Sequence, residues 1–433
     1  MTNVSAHTTP RVHLKATLEG LRPSATLAIN EKMAQLAAQG HRIFAMGFGQ
    51  SPFPVPDRVV EALKANAFRR EYQPVQGLPE LRHAIAAYHR QVHQLRATAS
   101  DILIGPGTKE LMFLLQLAYD GELLLPSPSW VTYEPQAVIL GRRVRWLPTS
   151  KDNGWRLTAS TLDDACRSEA PRPRLLILNY PNNPTGLTYR AAELEGLAKV
   201  AQEHQLLVLS DELYGDLDHS AIHRSIATWY PEGTVVTNGL SKWCGAGGWR
   251  LGSFCFPPSL RWLLDSMIAI ASETFSGVSA PIQYAAVAAF QRDREIERYL
   301  FQSRRILRAL GRIVAARLQA CGVGVTPPEG GFYVFPDFTG HQDMLHGRGI
   351  VTSAQLCQRL LEETGVAMLP GADFGRPASE LTCRIAYVNF NGGECLAAAE
   401  AVADPDELTD GFFDAHCPDV LEAIDRVGRW LAC

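Results

Sequence analysis

Between Asp57 and Cys255, stretches with helical spacing of apolar residues alternate with short, almost wholly apolar runs. The runs are Asp101–Ile104, Leu123–Leu125, Leu175–Leu178, Leu206–Leu209, Thr234–Thr237 and Ser253–Phe256. Runs this short, without polar alternation, predict strands buried on both faces, and helices between them predict a mostly parallel sheet covered on both sides. The fold class is therefore α/β. Upstream, Ala25–Ala38 reads as a helix, followed by the Gly/Pro-rich loop Gly47–Pro54. Downstream, helical spacing runs from Pro281 to about Cys321 and should contain the hinge into a second domain. Short strands are expected again at Gly331–Phe335 and Cys383–Tyr387, and an amphipathic helix over Pro418–Leu431.

Composition narrows the class. Of 433 residues, 46% are apolar and 20% charged, which fits folded domains with sizeable cores. A net charge of −4 argues against a nucleic-acid or membrane surface as the main partner. No apolar run approaches the roughly 20 residues that span a bilayer, and Met1–Gly20 shows no secretory signal. Nine cysteines, without a C-x-x-C pair, indicate neither a zinc knuckle nor a disulfide framework, and no metal is expected. The expectation is a cytoplasmic protein with reduced thiols.

In open α/β sheets ligands sit beyond the carboxyl ends of the strands, and distinctive residues follow the apolar runs. Gly105-Pro106-Gly107-Thr108-Lys109 opens a helix, where backbone amides and a hydroxyl suit a phosphate. Trp130 follows the next run and offers a face for a flat heterocycle. Asn182-Asn183-Pro184-Thr185-Gly186 can fix an amide side chain toward a ligand hydroxyl. Asp211 stands at a strand end in Ser210-Asp211-Glu212-Leu213-Tyr214. Lys242, one of only seven lysines, follows a strand among small and aromatic residues with Arg250 nearby. Desolvation and a neighbouring cation both favour a neutral, nucleophilic amine. The glycines after Lys242 lack the third glycine of a dinucleotide fingerprint, because Arg250 stands there. Arg384 lies in an apolar strand and needs either a structural ion pair or a planar substrate carboxylate.

Taken in order, these segments resemble the class I/II aminotransferases of fold type I, the aspartate-aminotransferase-like superfamily. The resemblance runs from about Leu21 to Val388. It is carried by Asn-Asn-Pro-Thr-Gly at 182–186, Ser-Asp-Glu-Leu-Tyr at 210–214, and Ser241-Lys242 followed by Gly-Trp-Arg-Leu-Gly up to 252. It implies a fold type I transferase that uses pyridoxal 5′-phosphate (PLP). The large domain is expected at 55–295, and a smaller α+β domain at 296–433 with residues 1–54 contributing. Lys242 resembles the lysine that holds PLP as a Schiff base and shuttles the Cα proton. Asp211 resembles the partner of the pyridine nitrogen, and Asn183 and Tyr214 the donors to the ring 3′-oxygen. Trp130 resembles the stacked aromatic. Gly107, Thr108, Lys109, Ser241 and Arg250 resemble the phosphate side of the site. Tyr72 resembles a tyrosine that reaches the phosphate of the other subunit in a homodimer with shared active sites. Gly49 and Arg384, with Asn183, fall on the substrate side, Arg384 gripping the α-carboxylate.

The expected reaction is transfer of an α-amino group to a 2-oxo acid. The alternative is elimination, replacement or ring closure on the same cofactor, which fold alone does not distinguish. A PLP-binding regulator would carry a DNA-binding domain, and only about 20 residues precede the family-like region. One departure is Gly239, where many family members have a serine toward the phosphate. The acidic stretch Ala403–His416 matches nothing in the pattern.

Overall fold

The computed structural model describes residues 14–18, 21, 25–403 and 408–432. Seven strands form the main sheet: β1 (Ile102–Gly105), β2 (Glu122–Pro126), β3 (Val144–Leu147), β4 (Arg174–Asn179), β5 (Leu207–Asp211), β6 (Thr234–Gly239) and β7 (Gly252–Cys255). Their order is β1-β7-β6-β5-β4-β2-β3. Only β7 runs against its neighbours. The continuous apolar runs arise because both faces are covered. Leu175 and Ile177 of β4 join an apolar layer with Leu123, Leu207 and Val235, while Leu176 and Leu178 join Leu124, Leu197 and Val208 in another. Successive side chains thus point to opposite layers.

A second, antiparallel sheet consists of β8 (Tyr333–Val334), β9 (Leu369–Pro370) and β10 (Cys383–Ala386) in the order β8-β10-β9. The segment before the Gly47–Pro54 loop is tied to it. Phe44 N–H donates to the Gly365 carbonyl at 2.9 Å, and Ala386 N–H to that of Met46 at 2.7 Å. The loop is thereby led from the small sheet to the edge of the large one.

Several expectations shift. Strand β5 extends past Leu209 to Asp211, so the acid expected at a strand end is the strand's last residue. Strand β3 escaped the reading because Val144, Arg145 and Trp146 are only partly buried and one is charged. The helical stretch after Pro281 is two helices, Ala280–Phe290 and Arg294–Ala320. Arg292 has φ +52°, and Asp293 caps the second helix, accepting from Ile296 N–H at 3.1 Å. Within the acidic stretch, Asp410–His416 forms a helix with Phe413 buried; residues 404–407 lie outside the described residues. The helices Ala25–Ala38 and Pro418–Leu431 form as expected. Among the described residues no helix is long and apolar enough to cross a membrane.

Candidate active site

The register of the large sheet brings the distinctive residues to one edge. Gly105 pairs with Gly252, which also pairs with Gly239, and Asn179 pairs with Asp211. The glycines allow close packing there. A Cβ on Gly252 would stand 2.4 Å from the Thr108 nitrogen, at the start of the helix Thr108–Ala118. Gly107 has φ +93°, and a Cβ on it would meet Arg250 Nη2 at 2.2 Å. Arg250 donates to the carbonyls of Gly247 at 2.9 Å and Pro106 at 3.3 Å. The helix N-terminus, the Thr108 hydroxyl and one guanidinium therefore converge, as an anion site requires. At Gly239 a Cβ would lie 3.0 Å from the Leu251 carbonyl oxygen and 3.2 Å from Gly252 Cα. A serine there would press its Cβ against this backbone.

Lys242 is partly exposed, and its Nζ donates to the Gly49 carbonyl at 2.7 Å. It lies 5.6 Å from the centroid of the Tyr214 ring. Burial, then Arg384, push its ammonium down to about 7, helped by Arg250 and Lys109 and opposed by Asp211. Lys109, also lowered by burial and by Arg250, sits 5.1 Å over the Trp130 ring. Lys242 thus feels three further cations, Arg384, Arg250 and Lys109, and one buried acid, Asp211.

Asp211 is 3% exposed. Burial raises its carboxyl, against hydrogen bonds that favour the anion. Tyr133 Oη donates to Oδ2 at 2.5 Å, and Thr237 Oγ1 and Leu213 N–H donate to Oδ1 at 3.0 and 3.3 Å. Tyr133 is fully buried, with its ring edge-on to Trp130.

On the other side, buried Arg384 donates to Asn183 Oδ1 at 3.0 Å and the Gly47 carbonyl at 2.5 Å. Its guanidinium lies 4.8 Å over the Tyr333 ring and 5.2 Å over that of Phe374. Among the described residues its Nε has no hydrogen-bond partner, and no Asp or Glu forms an ion pair with it. Asp373, whose carboxyl burial raises to about 6, feels its charge without pairing. Tyr333 Oη and Tyr214 Oη hydrogen-bond at 2.8 Å. A Cβ on Gly49 would stand 1.9 Å from Tyr333 Oη, so glycine is needed for this approach.

The structure brings Gly49, Gly107, Thr108, Lys109, Trp130, Asn183, Asp211, Tyr214, Lys242, Arg250 and Arg384 to this edge, with Ser241 preceding the lysine. Tyr72 stands apart, 96% exposed on the surface. Tyr133, Thr237 and Tyr333 escaped the sequence reading. Tyr333 had a signal: it pairs with Ala386, two residues from Arg384, so strand alternation puts both on one face.

The family Aminotransferase class I and II matches residues 42–402. An aspartate aminotransferase of Geobacillus stearothermophilus is 34% identical over 369 residues, 82% of this chain and 90% of that protein. An aspartate/prephenate aminotransferase of Cereibacter sphaeroides is 33% identical over 378 residues, 84% of this chain and 92% of the relative. Among solved structures, the aspartate aminotransferase of Thermus thermophilus with maleate superposes with a TM-score of 0.82 at 27% identity, covering 97% of this chain and 100% of that one. With three signature segments on one sheet edge and a family match across most of its length, this chain belongs to the class I and II aminotransferases.

Proposed function

We propose that the protein is a PLP-dependent aminotransferase that moves the α-amino group of an amino acid to a 2-oxo acid. The observation that carries the reading is Lys242, an amine titrating near neutrality between one buried acid and three further cations. The donor set fits PLP: a site for a dianion at Gly107, Thr108 and Arg250, a carboxylate at Asp211, and amide and phenol groups at Asn183 and Tyr214. Lys109 and Ser241 would add to the phosphate side, Trp130 would cover the ring, and Tyr72 would reach the phosphate of the other subunit in a homodimer. When bound, PLP supplies an electron sink for the pair left at Cα.

The chain's own residues do the rest. Arg384, with a free Nε edge, binds the substrate α-carboxylate. Neutral Lys242 takes the Cα proton and returns it on the cofactor side. Tyr133 and Thr237 donate to Asp211 and favour its anion against burial, and that anion would stabilise a positive charge on the cofactor nitrogen. Gly49 closes the loop over Lys242 and Tyr333. The proposed domain division, 55–295 against 1–54 with 296–433, is supported by the hydrogen bonds that join Phe44 and Met46 to the small sheet. The described cysteines are free, which supports a cytoplasmic location.

The test is an amino-donor screen with mass spectrometry of the products, starting with aspartate, which the relatives' names put first. Formation of a 2-oxo acid, with its nitrogen recovered on a second 2-oxo acid, is the expected result. Ammonia release or an unsaturated or cyclised product would replace transamination with the alternative chemistry.

A further inference from the structure

Next to Asp211 in the chain, Glu212 belongs to a cluster of buried titratable groups that transamination does not use. The helix Pro79–Val92 carries His89 in its last turn, and His93 follows four residues later as its C-cap. The residue after Asp211, Glu212, faces them, and His223 approaches from the loop beyond. All four side chains are enclosed: those of His93, Glu212 and His223 are 2%, 1% and 4% exposed, and His89 is 0% exposed.

The hydrogen bonds fix where the protons are. Glu212 Oε1 accepts from Ser225 Oγ at 2.5 Å and Ser210 Oγ at 2.7 Å. Its Oε2 accepts from His223 Nε2 at 2.9 Å. Tyr88 Oη donates to Asp216 Oδ2 at 3.1 Å, and Asp216 is held as an anion by Arg292. The Tyr88 oxygen is then an acceptor, so His93 must donate to it through Nε2, at 3.2 Å. That leaves His93 Nδ1 as a bare lone pair, without a hydrogen-bond partner, 3.7 Å from Glu212 Oε2. Two electron-rich atoms face each other in the interior, an unfavourable arrangement that the hydrogen bond from His223 to Oε2 offsets only in part and that a cation between them would relieve. Among the described residues His89 has no partner at either ring nitrogen.

We infer that His93 Nδ1, Glu212 Oε2 and His223 Nε2 bind one divalent transition-metal ion of the zinc type. Glu212 Oε2 lies 3.7 Å from His93 Nδ1 and 2.9 Å from His223 Nε2, and one donor atom from each of the three residues lies within 4.8 Å of the other two. An ion with bonds of about 2.0–2.2 Å holds its ligands roughly 3–4 Å apart, so side-chain shifts of up to about 1 Å close the site. Two imidazoles and a carboxylate are the ligand types such an ion takes. On binding, His223 moves its proton from Nε2 to Nδ1 and presents a lone pair to the metal. His89, whose ring centroid lies 5.4 Å from that of His93, would supply a fourth ligand. The ion is structural: it joins the helix Pro79–Val92 to the residue that follows Asp211, and so stiffens the strand end that aims this carboxylate.

Because the donors are enclosed, the ion enters as the chain folds. The full-length, PLP-loaded protein is therefore produced in zinc-supplemented medium, passed over a chelating resin and assayed for metal by mass spectrometry. About one zinc per chain is expected in the wild type, and at least tenfold less in His93→Ala and His223→Ala. Protein unfolded with chelator and refolded with Co2+ should show the visible d–d bands of a low-coordinate site. A crystal of the wild type, measured at the zinc absorption edge, should place an anomalous peak between the three donors, and this decides the matter even if the variants do not fold. A metal-free wild type, equal zinc in wild type and both variants, or a water molecule bridging His93 and Glu212 in place of the peak would overturn the inference.

Discussion

Replacing Arg384 by alanine tests the substrate side of the site most sharply. The guanidinium is 2% exposed and pushed below its ordinary range by burial. Its partners are an amide oxygen, a carbonyl and two aromatic faces, none of which neutralises it. A substrate carboxylate would supply the missing charge and the acceptor for Nε. Losing one member of such an enclosed charged pair costs roughly 2–5 kcal/mol. At about 1.4 kcal/mol per tenfold, kcat/KM should fall roughly 30-fold to several thousandfold. Arg384→Lys should recover only part of this, because a point charge cannot offer two parallel donors. The assay compares an amino acid with its decarboxylated amine in both proteins, with PLP content measured alongside. The wild type should prefer the amino acid strongly and Arg384→Ala should nearly lose that preference while retaining PLP. Equal use of both substrates by the wild type, or a change in kcat/KM below threefold, would refute the carboxylate role.

Three further outcomes follow from the geometry. Tyr133→Phe removes a donor at 2.5 Å from Asp211; a hydrogen bond to a charged group is worth about 1.5–3 kcal/mol, so kcat should drop roughly tenfold or more with KM little changed, as steady-state kinetics would show. Gly49→Ala must displace Tyr333 Oη, which a Cβ would approach to 1.9 Å; turnover should fall at least tenfold, and Gly49→Ala with Tyr333→Phe should recover part of it. In the cofactor-free protein, the Lys242 ammonium titrates near 7 against 10.5 unfolded, so the folded state binds fewer protons between these values and stability rises with pH across that window. The cost is complete below pH 7 and gone above about 10.5. At about 1.4 kcal/mol per unit, reduced by solvent screening of a partly exposed side chain, Lys242→Met should be more stable by ~2 kcal/mol at pH 7, a difference that chemical denaturation should see shrink as the pH is raised to 10.

The parallel sheet was legible because strands buried on both faces leave unbroken apolar runs, as Leu175–Leu178 does. Strand β3 was not, since its edge position lets Arg145 stand among partly exposed neighbours. The helix break at Arg292 was masked by continuous apolar spacing on both sides; only the Asp293 cap marks it. In the site, residues that bear unusual chemistry in their local context, such as Lys242 and Asp211, stood out. Tyr133 and Tyr333 did not, because a tyrosine in a helix or strand reads as core. Their importance comes from what they touch across the fold: Asp211, 78 residues on, and Tyr214, 119 residues back.

The central claim is that Lys242 carries PLP. Treating the PLP-loaded protein with borohydride and mapping its peptides by mass spectrometry tests it most directly. The account predicts loss of the visible absorption and a single pyridoxyl group on Lys242. A group on Lys109, the other lysine at this edge of the sheet, or no modified lysine at all would contradict it.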